Sequence, residues 1–118
     1  MVNYGEAHLN QVFAALSDPT RRAVLSRLAR SRPLSVTALA EPFDLKLHTV
    51  MKHLDVLADA GLIRRAKTGR TVHVEIAGGA LQPAVQWLER QERFWSASLD
   101  RLAVYAEARE RKARDRDR

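Results

Sequence analysis

The sequence contains no cysteine. Disulfides, thiolate-bound metals and cysteine nucleophiles are thereby excluded. It has no apolar run approaching the roughly 20 residues that a membrane helix requires, so no membrane partner is expected. The opening stretch Met1-Val2-Asn3-Tyr4-Gly5-Glu6 lacks the basic and apolar regions of a signal peptide, and a cytoplasmic home is expected. There is no Gly-rich phosphate loop, no pair of catalytic carboxylates and no Ser/His/Asp set, so neither an enzyme nor a cofactor is expected. Glycine and proline are sparse, at five and four residues, and the few present mark the ends of elements.

What is there is an ordinary globular composition with a basic balance. The chain has 118 residues, 46% hydrophobic and 29% charged, with a net charge of +6. That length suits one domain, and the charge favours polyanions such as nucleic acid or an anionic membrane surface.

Apolar periodicity predicts a first helix over residues 7–16, where Leu9, Val12, Phe13 and Leu16 share a face. Asp18 is placed to cap a second helix that begins with Pro19 and runs to residue 29, turning Val24, Leu25 and Leu28 inward. Ser35 caps a short third helix over residues 36–41, and Pro42-Phe43-Asp44 is a turn. A fourth helix over residues 46–60 directs Val50, His53, Leu54 and Leu57 inward, and Gly61 ends it in a left-handed conformation. Strands over residues 62–66 and 71–76 flank a turn at Lys67-Thr68-Gly69-Arg70, giving one hairpin. A long helix over residues 81–109 follows, and residues 111–118 carry no apolar stripe and are expected to be a disordered tail.

A short helix, a turn and a second helix with polar residues near its start is the helix-turn-helix arrangement, whose second helix enters the major groove. Asp55 and Asp59 in its later half would repel phosphate, so the first two turns are the DNA end. Lys46, His48, Thr49, Met51 and Lys52 are the expected contacts there. Lys52 can donate to guanine or phosphate, while Thr49 and Met51 can pack on a thymine methyl. Lys67, Thr68 and Arg70 at the hairpin tip suit the flanking backbone as a wing.

The run Phe13-Ala14-Ala15-Leu16-Ser17-Asp18-Pro19-Thr20-Arg21-Arg22 resembles the opening of the arsenic-repressor (ArsR/SmtB) family, as does Lys52-His53-Leu54-Asp55-Val56-Leu57-Ala58-Asp59-Ala60-Gly61-Leu62-Ile63. The resemblance implies a homodimeric winged-helix regulator, usually a repressor that leaves its operator when an effector binds. Two positions depart from the family's pattern. Lys46 stands where serine is common, and Met51 where a second serine often contacts DNA. The family's metal sites use cysteines on the third helix or Asp, His and Glu pairs on the last. Here the third helix has no soft ligand, the last helix has no histidine, and His8, His48, His53 and His73 form no i, i+4 pair. No metal site of the family's kinds is therefore expected. His53, on an inward face, reads as a core or hinge histidine.

On the last helix Val85, Leu88, Trp95, Leu99 and Leu102 recur at spacings of three and four, a coiled-coil-like seam widened by Trp87, Phe94 and Tyr105. A dimer interface is expected from Leu9, Val12, Phe13, Trp87, Leu88, Trp95, Leu99 and Leu102. The sequence thus predicts a mainly α fold with a small β-hairpin wing, a homodimeric winged helix-turn-helix. Residues 1–110 would form the DNA-binding and dimerisation domain, followed by a charged tail. The expected partners are double-stranded DNA, a second copy, and an effector, small molecule or protein, that the sequence does not name. The competing reading is a winged helix that binds proteins without DNA.

Overall fold

A computed structural model of the chain describes residues 4–117. The order is α1 (Tyr4–Leu16), α2 (Pro19–Ala29), β1 (Leu34–Ser35), α3 (Val36–Ala40), α4 (Leu47–Asp59), β2 (Ile63–Thr68), β3 (Thr71–Ile76) and α5 (Gln82–Arg116). The fold divides into two compact units, one ending at Ala84 and one beginning at Val85.

Local chemistry sets the ends of the helices. The Asp18 carboxylate accepts from the Arg21 backbone N–H at 3.0 Å, and Pro19 occupies the first turn of α2, where a missing N–H costs nothing. Ser35 caps α3 by accepting from Ala38 N at 3.1 Å. Gly61 ends α4 at φ +75°, with Gly61 N bonded to the Ala58 carbonyl at 2.9 Å and Leu62 N to the Leu57 carbonyl at 3.0 Å. These two bonds satisfy carbonyls that the end of a helix otherwise leaves open, and the left-handed backbone they need favours glycine.

The sheet has three strands in the order β1-β3-β2, all antiparallel. The sequence predicts only the hairpin. The added strand is two residues long, pairing Leu34 with Val74 and Ser35 with His73, and two residues carry no period to read. The hairpin turn is also tighter than expected. Thr68 pairs with Thr71, so Lys67 and Thr68 belong to the ladder and only Gly69 and Arg70 make the turn. Gly69 lies at φ +63° and Arg70 at negative φ, the pattern of a two-residue turn that opens with glycine.

The core of the first unit joins the three long helices to the sheet. Val12 and Ala15 of α1, Val24 and Leu28 of α2, Leu39 of α3, Val50, Leu54 and Leu57 of α4, and Val74 of β3 are all buried. Leu39, Leu54, Leu57 and Val74 have no exposed surface. Val12 was expected at a dimer interface. It is a core residue instead, at 1% exposure, because its side chain lies on the α1 face that meets the rest of the unit.

In the second unit, α5 continues to Arg116, so residues 111–116 are helical where a disordered tail was expected. A helix with no apolar stripe gains support from charges one turn apart, and Arg114 Nη2 stands 3.5 Å from Glu110 Oε2.

Candidate nucleic-acid interface

The helix-turn-helix is built from α3, the turn after it and α4. The turn closes through Phe43 N and the Ala40 carbonyl at 3.0 Å. Lys46 takes the N-cap position of α4 in extended backbone, with its carbonyl accepting from Thr49 N at 2.9 Å and Val50 N at 3.1 Å. Its side chain makes no capping bond. A serine side chain at this position could accept from the His48 or Thr49 amide; a lysine has only donors. The first turn of α4 therefore keeps N–H groups without a side-chain acceptor, an arrangement that suits phosphate.

The helix then sorts its side chains by period. Val50, Leu54 and Leu57 are buried, while Lys46, His48 and Lys52 are exposed. Thr49 is half-buried, and Met51 is half-buried against the core. Of the five residues proposed from the sequence as recognition contacts, three thus stand in solvent and two lie at the margin between core and surface. Leu45 and Leu47, which sequence reasoning passed over, are exposed at 41% and 55%.

On the wing, Lys67, Thr68 and Arg70 are exposed, and so are Arg64 and Arg65 of the same strand. Alternation along β2 puts Arg65 and Lys67 on one face and Arg64 and Thr68 on the other. Arg64 Nε lies 3.4 Å from Glu75 Oε1 on the neighbouring strand. Arg65 Nη1 donates to Asp55 Oδ1 at 2.5 Å, which joins the wing to α4. The Asp55 carboxylate, a liability beside phosphate, is paired there with a cation. The signal for these two residues was the dipeptide Arg64-Arg65 at the start of a strand.

Behind α4, the two arginines that close the run from Phe13 to Arg22 are engaged in structure. Arg21 donates from Nε to the Ala15 carbonyl at 2.8 Å and from Nη2 to the Ala14 carbonyl at 3.0 Å. Its Nη1 stands 3.3 Å from His53 Nδ1, an interaction in which the imidazole nitrogen accepts. Arg22 Nη1 donates to the Leu16 carbonyl at 2.8 Å. Both side chains complement the carboxyl end of α1, where open carbonyls and the helix dipole favour cations. His53 Nδ1 also lies 3.9 Å from Asp18 Oδ2. The Arg21 backbone N–H holds the Asp18 carboxyl below its ordinary value of 3.8; burial opposes it, and the His53 and Arg21 side chains add smaller lowering effects. His53, expected as a core or hinge histidine, is half-buried where α1, α2 and α4 meet.

The residues proposed for a dimer interface lie in two settings. Leu9 and Phe13 of α1 are half-buried against the core. On α5, Trp87, Leu88, Trp95, Leu99 and Leu102 are 37%, 50%, 63%, 64% and 60% exposed. Trp87, Leu88, Trp95 and Leu99 line one shallow apolar groove along the helix. Among the described residues, no three His, Asp or Glu side chains converge as a metal site would need, and no helix is long and apolar enough to cross a membrane.

Comparison with known proteins matches residues 16–66 to the helix-turn-helix domain family. The transcriptional repressor SdpR of Bacillus subtilis is 30% identical over 80 residues, covering 68% of this chain and 88% of that protein. A crystal structure of an ArsR family transcriptional regulator, RHA00566, superposes with a TM-score of 0.72 at 45% identity, over 81% of this chain and 97% of the other. The homodimeric winged helix-turn-helix DNA-binding domain Mb0332 from Mycobacterium bovis superposes with a TM-score of 0.58 at 26% identity, over 80% of this chain and 91% of the other.

Proposed function

The chain belongs to the ArsR family of winged helix-turn-helix transcriptional regulators, and from that premise we propose that it is a homodimeric repressor of a palindromic DNA operator. The observation that carries this reading is the division of α4. Its inner face holds Val50, Leu54 and Leu57 in the core, while Lys46, His48 and Lys52 stand free on its first two turns. In the proposed complex those turns enter the major groove, with Thr49 and Met51 at their edge. Lys67, Thr68 and Arg70 on the hairpin contact the flanking phosphates.

Dimerisation is supported by the apolar row on α5 and by the homodimeric state of the relative Mb0332. Two copies present two recognition helices, which suits half-sites about 34–36 Å apart along the duplex. Repression is supported by the relative SdpR, a transcriptional repressor. A sequence without cysteine and with no histidine on its last helix lacks the family's metal ligands. Zinc, cadmium and arsenite should accordingly leave the DNA complex intact.

The test is a gel shift of the full chain on random duplex DNA at two salt concentrations. Phosphate contacts release counterions, so affinity must fall steeply as salt rises. Lys52→Ala and Arg70→Ala should each weaken binding and reduce the salt slope by about one, with the dimer retained. Wild-type affinity in both variants would remove α4 and the wing from the interface. A weak association indifferent to salt would instead make the winged helix a protein-interaction module.

A further inference from the structure

The first turn of α4 is not polar all round. Leu47, its first helical residue, is 55% exposed, and Leu45, just before the cap, is 41% exposed. Leu45 has a local use available, because an apolar residue before the cap ordinarily faces the fourth helical residue, here Val50. Leu47 has no such partner position and does not join the residues packed on the core. It stands one turn from Met51, and side chains four apart on a helix are neighbours. Met51 is itself packed against the core. Leu47 therefore extends an apolar wall that begins in the core and ends in solvent.

This wall is flanked in sequence by two lysines and a histidine. Lys46 precedes it, Lys52 follows it, and His48 is adjacent; all three are exposed. A protein partner with an apolar surface would have to desolvate the adjoining Lys46 to reach Leu47. A DNA duplex pairs those lysines with phosphate. Its major groove also offers one apolar feature to a leucine, the C5-methyl group of thymine.

We propose, resting on the reading that α4 enters the major groove, that Leu47 is a specificity-determining residue. With Met51 at its flank it reads a thymine methyl, so each bound half-site carries thymine at one fixed position. The lysines hold the helix on the backbone and do not choose the base. Leu47 does choose, by burying its exposed surface against a methyl group that cytosine, adenine and guanine lack.

The experiment begins with selection of bound duplexes from a random pool by the full chain. Each thymine of the selected half-site is then replaced in turn by deoxyuridine, which keeps every hydrogen-bonding group and loses only the methyl. At one position wild-type affinity should fall roughly fourfold, the worth of burying one methyl-sized group. Leu47→Ala should bind the thymine and uracil duplexes alike, and Leu47→Ile should keep part of the discrimination. A selected site without thymine, or uracil tolerated at every position, overturns the proposal. So does Leu47→Ala discriminating as well as the wild type. Failure of the underlying reading looks different: no sequence is enriched, or Lys52→Ala binds DNA as tightly as the wild type.

Discussion

The two units of this protein keep their apolar side chains in opposite places. Up to Ala84, valines and leucines from every helix and from β3 are withdrawn from water. From Val85 onward the large apolar side chains of α5 are in water on the single chain, with Phe94, Trp95, Leu99, Leu102 and Val104 at 60% exposure or more. Large exposed apolar patches mark interaction surfaces. The first unit's stability thus comes from residues of its own chain, while α5 carries surface suited to a second chain. Both kinds of apolar residue read alike in composition; only their placement tells them apart.

The strongest way to break this comparison is to damage the core. Leu54 has no exposed surface and sits at the centre of α4. Leu54→Ala should cost about 2–5 kcal/mol of unfolding free energy, read as an early transition in urea. A loss below 1 kcal/mol would mean that α4 does not depend on this core. The matching change on α5 should act on assembly. Trp95→Ala with Leu99→Ala should shift sedimentation from dimer to monomer, since truncating one central interface anchor costs about 2 kcal/mol or more. The far-ultraviolet spectrum should be kept. A dimer of undiminished affinity would assign the interface to other residues.

The comparison also explains what the sequence could show beforehand. The caps at Asp18, Ser35 and Gly61 were legible because each acts on amides or carbonyls within a few residues. The strand β1 was not, since pairing with β3 is all that defines it. The contact of Arg21 with His53 was hidden because the two residues are 32 apart in sequence. The helical state of residues 111–116 was hidden for another reason. Its support is charge spacing such as Glu110 with Arg114, and the apolar pattern is silent there. At the candidate interface, the exposure of Lys46, His48 and Lys52 followed from the period of α4. The exposure of Leu47 did not, because apolar residues at a helix start read as core until the core is seen to lie elsewhere.

The smallest expected effect sharpens the boundary between α1 and α2. The Asp18 carboxyl is held below its ordinary value of 3.8, first by the Arg21 backbone N–H it accepts. A carboxyl whose folded value is depressed stabilises the fold at pH values above the unfolded value. That contribution is lost as pH falls through the lower, folded value. Asp18→Asn keeps a side-chain oxygen that can cap the helix and removes the charge. The variant should be slightly less stable than the wild type at pH 7, and thermal melts should bring the two together as pH drops below 3.8. A difference that stays constant from pH 7 to pH 2 would show that the cap works through the hydrogen bond alone, with no contribution from the carboxylate's charge toward His53 and Arg21.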